Sequence, residues 1–286
     1  MKNLLTAILL LFAFSASAQL LPEQNMYTRN LFLINPASAG TNGKLSALVG
    51  YKSKWQGFED APRNAYFAID GMASEHMGLG MMLNNQQMGL LNLLNVSLNY
   101  SYRVDFADAH YLSLGASFTF IQNQIRTKGL SNQELSFLAE SNKFDKTFFS
   151  GGAGVSYHIK GLDLELAMPL IYSSQEEIFA QGVMAFLGYD IFMANKSVRV
   201  QPSVFSNYSF SSPVIADVNL MIEWNKMIWA QVGYRTSSEL LIGAGLAIKH
   251  IGIGYTYGYN MGSLSYFGNS SHEIQISFRS LFAKKE

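Results

Sequence analysis

Apolar and polar residues alternate one for one through most of this chain. Between Leu94 and Val104 one face reads Leu94, Val96, Leu98, Tyr100 and Tyr102, and the other reads Asn95, Ser97, Asn99, Ser101 and Arg103. The next segment sets Leu112, Leu114, Ala116, Phe118 and Phe120 against Ser113, Gly115, Ser117 and Thr119. Ala216, Val218, Leu220, Ile222 and Trp224 alternate with Asp217, Asn219, Met221 and Glu223. A tyrosine ladder (Ile253, Tyr255, Tyr257, Tyr259) alternates with Gly254, Thr256, Gly258 and Asn260, and Ile274, Ile276 and Phe278 stand opposite Glu273, Gln275, Ser277 and Arg279. Successive side chains of a strand point to opposite faces, so this period of two marks strands with one apolar and one polar face. The pattern predicts about fourteen strands, near 44–55, 63–73, 77–87, 91–105, 109–125, 146–159, 162–172, 181–194, 198–210, 214–224, 227–238, 239–250, 252–263 and 272–282.

A soluble sandwich also alternates. Three features favour a transmembrane antiparallel β-barrel. The strands are long, as tilted membrane strands must be. Aromatic residues recur near the ends of the apolar faces, like the girdles at a membrane boundary. The polar faces are rich in Gly, Ser, Asn and Thr, which suit a crowded or wet lumen. An all-β barrel with an even strand count is therefore the expected fold. Lys160-Gly161, Asn195-Lys196 and Asn225-Lys226 read as tight turns. The long break from Thr127 to Lys146 reads as an outside loop, and Ser131-Asn132-Gln133-Glu134 within it resembles a capped start for a short helix in 131–141.

Composition agrees with this class. Charged residues make up 14% of the chain and aromatics 13%, with equal numbers of basic and acidic residues. That balance gives no net field to attract nucleic acid. The chain has no cysteine, so disulfides, thiol nucleophiles and thiolate metal sites are excluded. The N-terminus reads as a signal peptide over residues 1–18. Lys2 is its positive end, Leu4–Phe14 its apolar core, and Ala16-Ser17-Ala18 its small-residue cleavage site. Residues 19–43 would then form an N-terminal periplasmic segment, 44–282 the barrel and 283–286 a tail.

Catalytic or metal signals are weak. His76, His110, His158, His250 and His272 form no HExxH and no pair with metal spacing, and no GxSxG occurs. Ser271-His272-Glu273 is the one tempting cluster. Adjacent strand residues face opposite ways, so it reads instead as a loop leading into the last strand. Gly78-Leu79-Gly80 and Gly252-Ile253-Gly254 suit barrel bends or close packing against an inserted segment. Asp70, Asp163, Glu165, Asp190, Asp217 and Glu223 fall on polar faces, as do Arg103, Arg199, Arg235, Lys249 and Arg279. In a barrel these charges point into the lumen, where they pair and fill a narrow interior, line a selectivity path, or receive another chain.

The densest run of conformationally specific residues is Gln24–Arg63. Asn35-Pro36-Ala37 encodes a turn, Gly40 and Gly43 permit a reversal, and Trp55-Gln56-Gly57 closes the first alternating strand. QNMYTRNLFLINPASAG followed by KWQGFEDAP resembles the start of the PorP/SprF family of type IX secretion system membrane proteins. MGLGMMLNNQQMG is similar to that family's third strand and HEIQISF to its closing strand. Lys54 before Trp55 departs from the arginine and small or polar residue more usual there.

The resemblance implies a non-enzymatic outer-membrane barrel of the type IX secretion and gliding apparatus, without cofactor or metal. Its implied partners are outer-membrane lipid, periplasmic secretion components and a cognate secreted adhesin. Asn35, Pro36, Ala37, Gly40, Trp55, Gln56 and Gly57 are the candidate partner or plug interface. A passive or substrate-specific channel is the alternative role.

Overall fold

The computed structural model describes residues 24–55, 60–127, 145–174, 182–209, 212–262 and 268–280. The expected leader, the helical insert, Gln56, Gly57 and the tail lie outside these residues.

Fifteen strand segments form one antiparallel sheet: β1 (Leu45–Lys54), β2 (Arg63–Met72), β3 (Met77–Met88), β4 (Leu91–Ala107), β5 (His110–Ile125), β6 (Lys146–Ile159), β7 (Leu162–Ser173), β8 (Gly182–Tyr189), β9 (Ile191–Met193), β10 (Val198–Ser209), β11 (Ser212–Trp224), β12 (Ile228–Arg235), β13 (Glu239–Ile248), β14 (Ile251–Asn260) and β15 (Ser270–Ser280). β8 and β9 are two halves of one stave, interrupted at Asp190, and both pair with β10. The barrel therefore has fourteen staves. Each pairs with its neighbours in sequence, and β1 pairs with β15 from Leu45↔Ser280 to Lys54↔Ser271, which closes the ring. Closure removes the open edges that hydrocarbon would not tolerate.

The sequence periodicity sets the two faces. On β4, Leu98, Tyr100 and Tyr102 are exposed while Ser97, Asn99 and Ser101 are buried in the interior. On β11, Val218, Leu220, Ile222 and Trp224 point out, and Asp217, Asn219, Met221 and Glu223 point in. Exposed aromatics cluster toward both rims, with Tyr51, Tyr172, Tyr208, Tyr234 and Tyr259 at one and Phe106, Tyr189, Phe192 and Trp224 at the other.

The second rim is closed throughout by short turns of two to four residues, whereas the longer connections all lie at the first. Ala109, Lys160, Ala194, Asn195, Lys196, Asn225, Lys226 and Lys249 adopt left-handed backbone there. Such turns match strand twist with two-residue connections, and in outer-membrane barrels they face the periplasm. Lys249 thus belongs to a turn rather than to the polar face of a strand. β15 begins at Ser270, so Ser271-His272-Glu273 is strand and not a loop. Ser271 and Glu273 turn inward, while His272 turns outward to meet the Tyr255 hydroxyl at 2.6 Å.

The interior is occupied by the chain's own N-terminus. Residues 24–42 run through the lumen as three single-turn 3-10 helices at Tyr27–Arg29, Leu31–Leu33 and Pro36–Ser38. The Asn30 and Asn35 side chains cap the second and third turns, accepting from Phe32 N and Ala37 N. Irregular backbone at membrane depth is tolerated only when protein surrounds it.

Val218 lies at the middle of β11 on the outer face, 60% exposed. Val218→Arg is expected to destabilise the barrel by about 2–4 kcal/mol, because a charge at the bilayer midplane loses its hydration. Urea unfolding in lipid vesicles measures this.

Candidate functional site

The site is the contact between residues 24–42 and the barrel wall. Five inward carboxylates, from β2, β7, β11 and β15, each accept a hydrogen bond from this segment. Asn25 N donates to Glu273 Oε2 at 2.7 Å, and the Tyr27 hydroxyl to Asp217 Oδ2 at 2.9 Å. The Arg29 guanidinium pairs with Glu223. Glu165 accepts from the Asn35 amide and from Ser38 Oγ, the latter at 2.9 Å. Gly40 N donates to Asp70 Oδ2 at 2.8 Å. The wall donates in return, with Ser101 Oγ reaching Ala39 O at 2.8 Å and Lys52 Nζ reaching Asn25 Oδ1 at 2.7 Å.

The largest fully buried side chain among the described residues is that of Arg235 on β12. Its guanidinium makes two bonds to Asp217, at 2.7 and 2.8 Å, and one to Glu239 Oε2 at 3.1 Å. It also reaches Asn25 Oδ1 at 3.3 Å. Glu239 accepts from Ser271 Oγ at 2.6 Å, and Glu273 from the Tyr66 hydroxyl at 2.6 Å. A bidentate pair whose carboxylates also accept other donors is the arrangement in which buried ions are tolerated.

Beside the polar clasp lies an apolar core. Tyr27, Phe32, Leu33, Ile34 and Ala39 pack on Leu48, Tyr66, Ala68, Ala167, Met184, Phe186 and Phe205, all pointing inward from the wall. The Tyr27 and Phe205 ring centres are 4.6 Å apart. Glycines make room for the segment. A Cβ at Gly115 would collide with the Ala37 backbone, one at Gly154 with the Asn35 side chain, one at Gly78 with Ala39 O and one at Gly80 with the Phe32 ring. The Gly78-Leu79-Gly80 pair therefore packs closely on an inserted segment.

Of the residues singled out in sequence, Asn35, Pro36, Ala37 and Gly40 are all buried in the lumen: the Pro36–Ser38 turn lies against β4, β5 and β6, and Gly40 lies against Gly71 of β2 and Gly78 of β3. Trp55 does not join them. It stands at the opposite end of β1, half-buried, with its backbone on Ser270 O and close to Gly268. Gln56 and Gly57 fall outside the described residues. The polar-face carboxylates identified by alternation do face the lumen.

Sequence reading missed Asn25, Tyr27, Arg29, Lys52 and Glu239, which complete the clasp with Glu273, whose polar phase the alternation had given. Lys52 could have been found from its inward phase within β1. Among the described residues no cluster of His, Asp or Glu is arranged to hold a metal. The polar partners of the five histidines are Asp105, Tyr157, Asp163, the Arg279 carbonyl and Tyr255, with no serine hydroxyl among them.

A closed, even-staved antiparallel barrel with an apolar outer belt, aromatic rims and a polar interior is an outer-membrane β-barrel. The chain belongs to the family described as type IX secretion system membrane protein PorP/SprF, whose sequence profile matches residues 16–278. No curated protein matches it. Among solved structures it is similar to the Acinetobacter baumannii outer membrane protein Omp33, at 7% identity and a TM-score of 0.51, covering 84% of this chain and all of that one. The Pseudomonas putida toluene transporter TodX gives 8% identity and a TM-score of 0.47, covering 87% and 94%. Outer membrane phospholipase A from Escherichia coli gives 9% and 0.41, covering 84% and 94%. Such distant likeness speaks to fold alone, and one fold hosts many functions.

Two outcomes test the clasp. Arg235→Leu leaves Asp217 and Glu239 buried without their cation and is expected to cost about 3–5 kcal/mol in unfolding measurements. The native chain has no cysteine, so Ser38→Cys supplies a unique reporter of the buried segment. It should resist a membrane-impermeant maleimide and become labelled when Gly115→Val is added.

Proposed function

We propose that this protein is a non-enzymatic outer-membrane scaffold of type IX secretion and gliding. It assists export or surface anchoring of a cognate secreted adhesin, or links the periplasmic machinery to the outer membrane. Family membership over nearly the whole chain carries this reading. The lumen-filling N-terminal segment supports it, since a stoppered barrel is better suited to holding partners than to passing solutes. In this reading residues 1–18 are removed as a signal peptide near Ala18, and residues 19–43 are the mature N-terminal segment, which enters the barrel from the periplasmic side. Asn35, Pro36, Ala37 and Gly40 are the proposed plug, and Trp55, Gln56 and Gly57 a separate proposed partner interface.

Deleting the gene should abolish surface display of the cognate adhesin, measured by protease accessibility on whole cells. Normal export and anchoring after deletion would overturn the proposal. Replacing Asn35, Pro36 and Gly40 together should impair display while the barrel still assembles, as judged by heat-modifiable migration. Loss of the barrel itself would assign these residues to folding instead.

The channel reading is tested by conductance. The intact protein in a planar bilayer should show no steady current, and a variant lacking residues 24–42 should conduct. Steady conductance by the intact protein would favour a channel.

A further inference from the structure

We propose that the short-turn mouth of the barrel is a cationic socket for an acidic segment of a periplasmic protein partner. This rests on the scaffold reading above and names the chemistry of one partner. A cavity of about 450 Å³ opens at this mouth. Its floor is the lumen segment at Thr28, Arg29, Leu31, Thr41 and Asn42, and its walls include the inward residues Arg199, Glu223, Ser277 and Arg279.

The charges around this cavity do not balance. Its three carboxylates are already engaged: Asp163 with His158 at 2.6 Å, Asp190 with Arg199 at 3.3 Å, and Glu223 with both Arg29 and Arg199. Four further cations line the same space: Lys196, Lys226, Lys249 and Arg279. Among the described residues none of these four has a carboxylate within salt-bridge distance, and Arg279 donates only to the Arg29 carbonyl, at 3.3 Å.

The three lysines stand exposed on short turns. Each occupies a left-handed turn position, with φ of 68°, 57° and 55°. Their turns (β9–β10, β11–β12 and β13–β14) are consecutive along this rim. The turns across the barrel carry exposed acids instead, Glu75 before β3 and Asp108 before β5. The mouth is therefore polarised, with a basic arc facing an acidic one. Fixed charge of one sign in a concave, partly desolvated site focuses the field and steers a complementary partner.

The geometry favours a protein segment over the other anions. The cavity lies inside the wall and is floored by the lumen segment, whereas lipid headgroups lie outside the wall. Its cations are spread over three turns and one strand end, a span that suits several carboxylates on an extended chain rather than one small anion.

The test uses the full chain in nanodiscs of zwitterionic lipid, with fluorescein-labelled octaglutamate as the probe. Anisotropy should report saturable binding that weakens as salt rises. Lys196→Gln, Lys226→Gln and Lys249→Gln combined remove the charges while keeping polar side chains and should weaken binding about tenfold or more. Lys146→Gln, at the other rim, should leave it unchanged. Absence of binding, or binding indifferent to the triple change, overturns the socket. Displacement by inorganic phosphate at concentrations matched in charge would mark a small-anion site and also overturn it. Lys-dependent binding to anionic vesicles without peptide binding would mark a membrane contact and would equally overturn the socket. If gene deletion leaves adhesin display normal yet octaglutamate binds through the lysines, the scaffold role fails and the socket stands. If display is lost on deletion but the peptide never binds, only the socket fails.

Discussion

Carboxylates that point into the interior of this barrel must find donors where water is scarce. Asp70, Glu165, Asp217, Glu223 and Glu273 find them on residues 25–40 of the same chain. An ionised carboxylate left without partners at that depth would be far more costly than the ordering of a short peptide. The N-terminal segment is thus part of the wall's electrostatics. It also satisfies its own backbone through three 3-10 turns and side-chain caps, which lets irregular structure sit at membrane depth.

The same segment resolves a second conflict. Inward residues such as Leu48, Met184, Phe186 and Phe205 are apolar, which a water-filled lumen would not reward. They are buried because Tyr27, Phe32 and Ile34 cover them. Glycines on β3, β5 and β6 allow the approach by removing the side chains that would otherwise block it. Polar clasp and apolar core share one strip of chain, so displacing it would expose both unpaired charge and unpacked hydrophobic surface. An interior built this way is a scaffold whose adaptable surfaces are its two mouths. The mouth toward the periplasm carries the unbalanced charge.

Much of this was legible in the chain. Strand positions followed from alternation because lipid outside and protein inside enforce opposite chemistry on the two faces. Lys160-Gly161 and Asn225-Lys226 were readable as turns because few residue pairs tolerate two left-handed positions. Asp70, Glu165, Asp217 and Glu223 were readable as lumen groups from phase alone. Ser271-His272-Glu273 was misread as a loop because three polar residues precede the apolar alternation. They stay in the strand because Ser271 and Glu273 are claimed by Glu239, Tyr66 and Asn25 from other parts of the chain. The break at Asp190 was likewise invisible, since β8 and β9 continue one alternating run on either side of it.

The sequence by itself determined the class of the protein, its stave count, its outer and inner faces, and its family, because each of these is written in local periodicity or contiguous motifs. Only the tertiary structure decided what the N-terminal segment does. Its partners lie 27 to 250 residues away, and no local pattern records which donor meets which carboxylate. Trp55, adjacent to the motif in sequence, ends at the far rim because a strand carries it the height of the barrel. Lys196, Lys226 and Lys249, widely spaced in the chain, become one arc because every second turn of an up-and-down barrel returns to the same mouth.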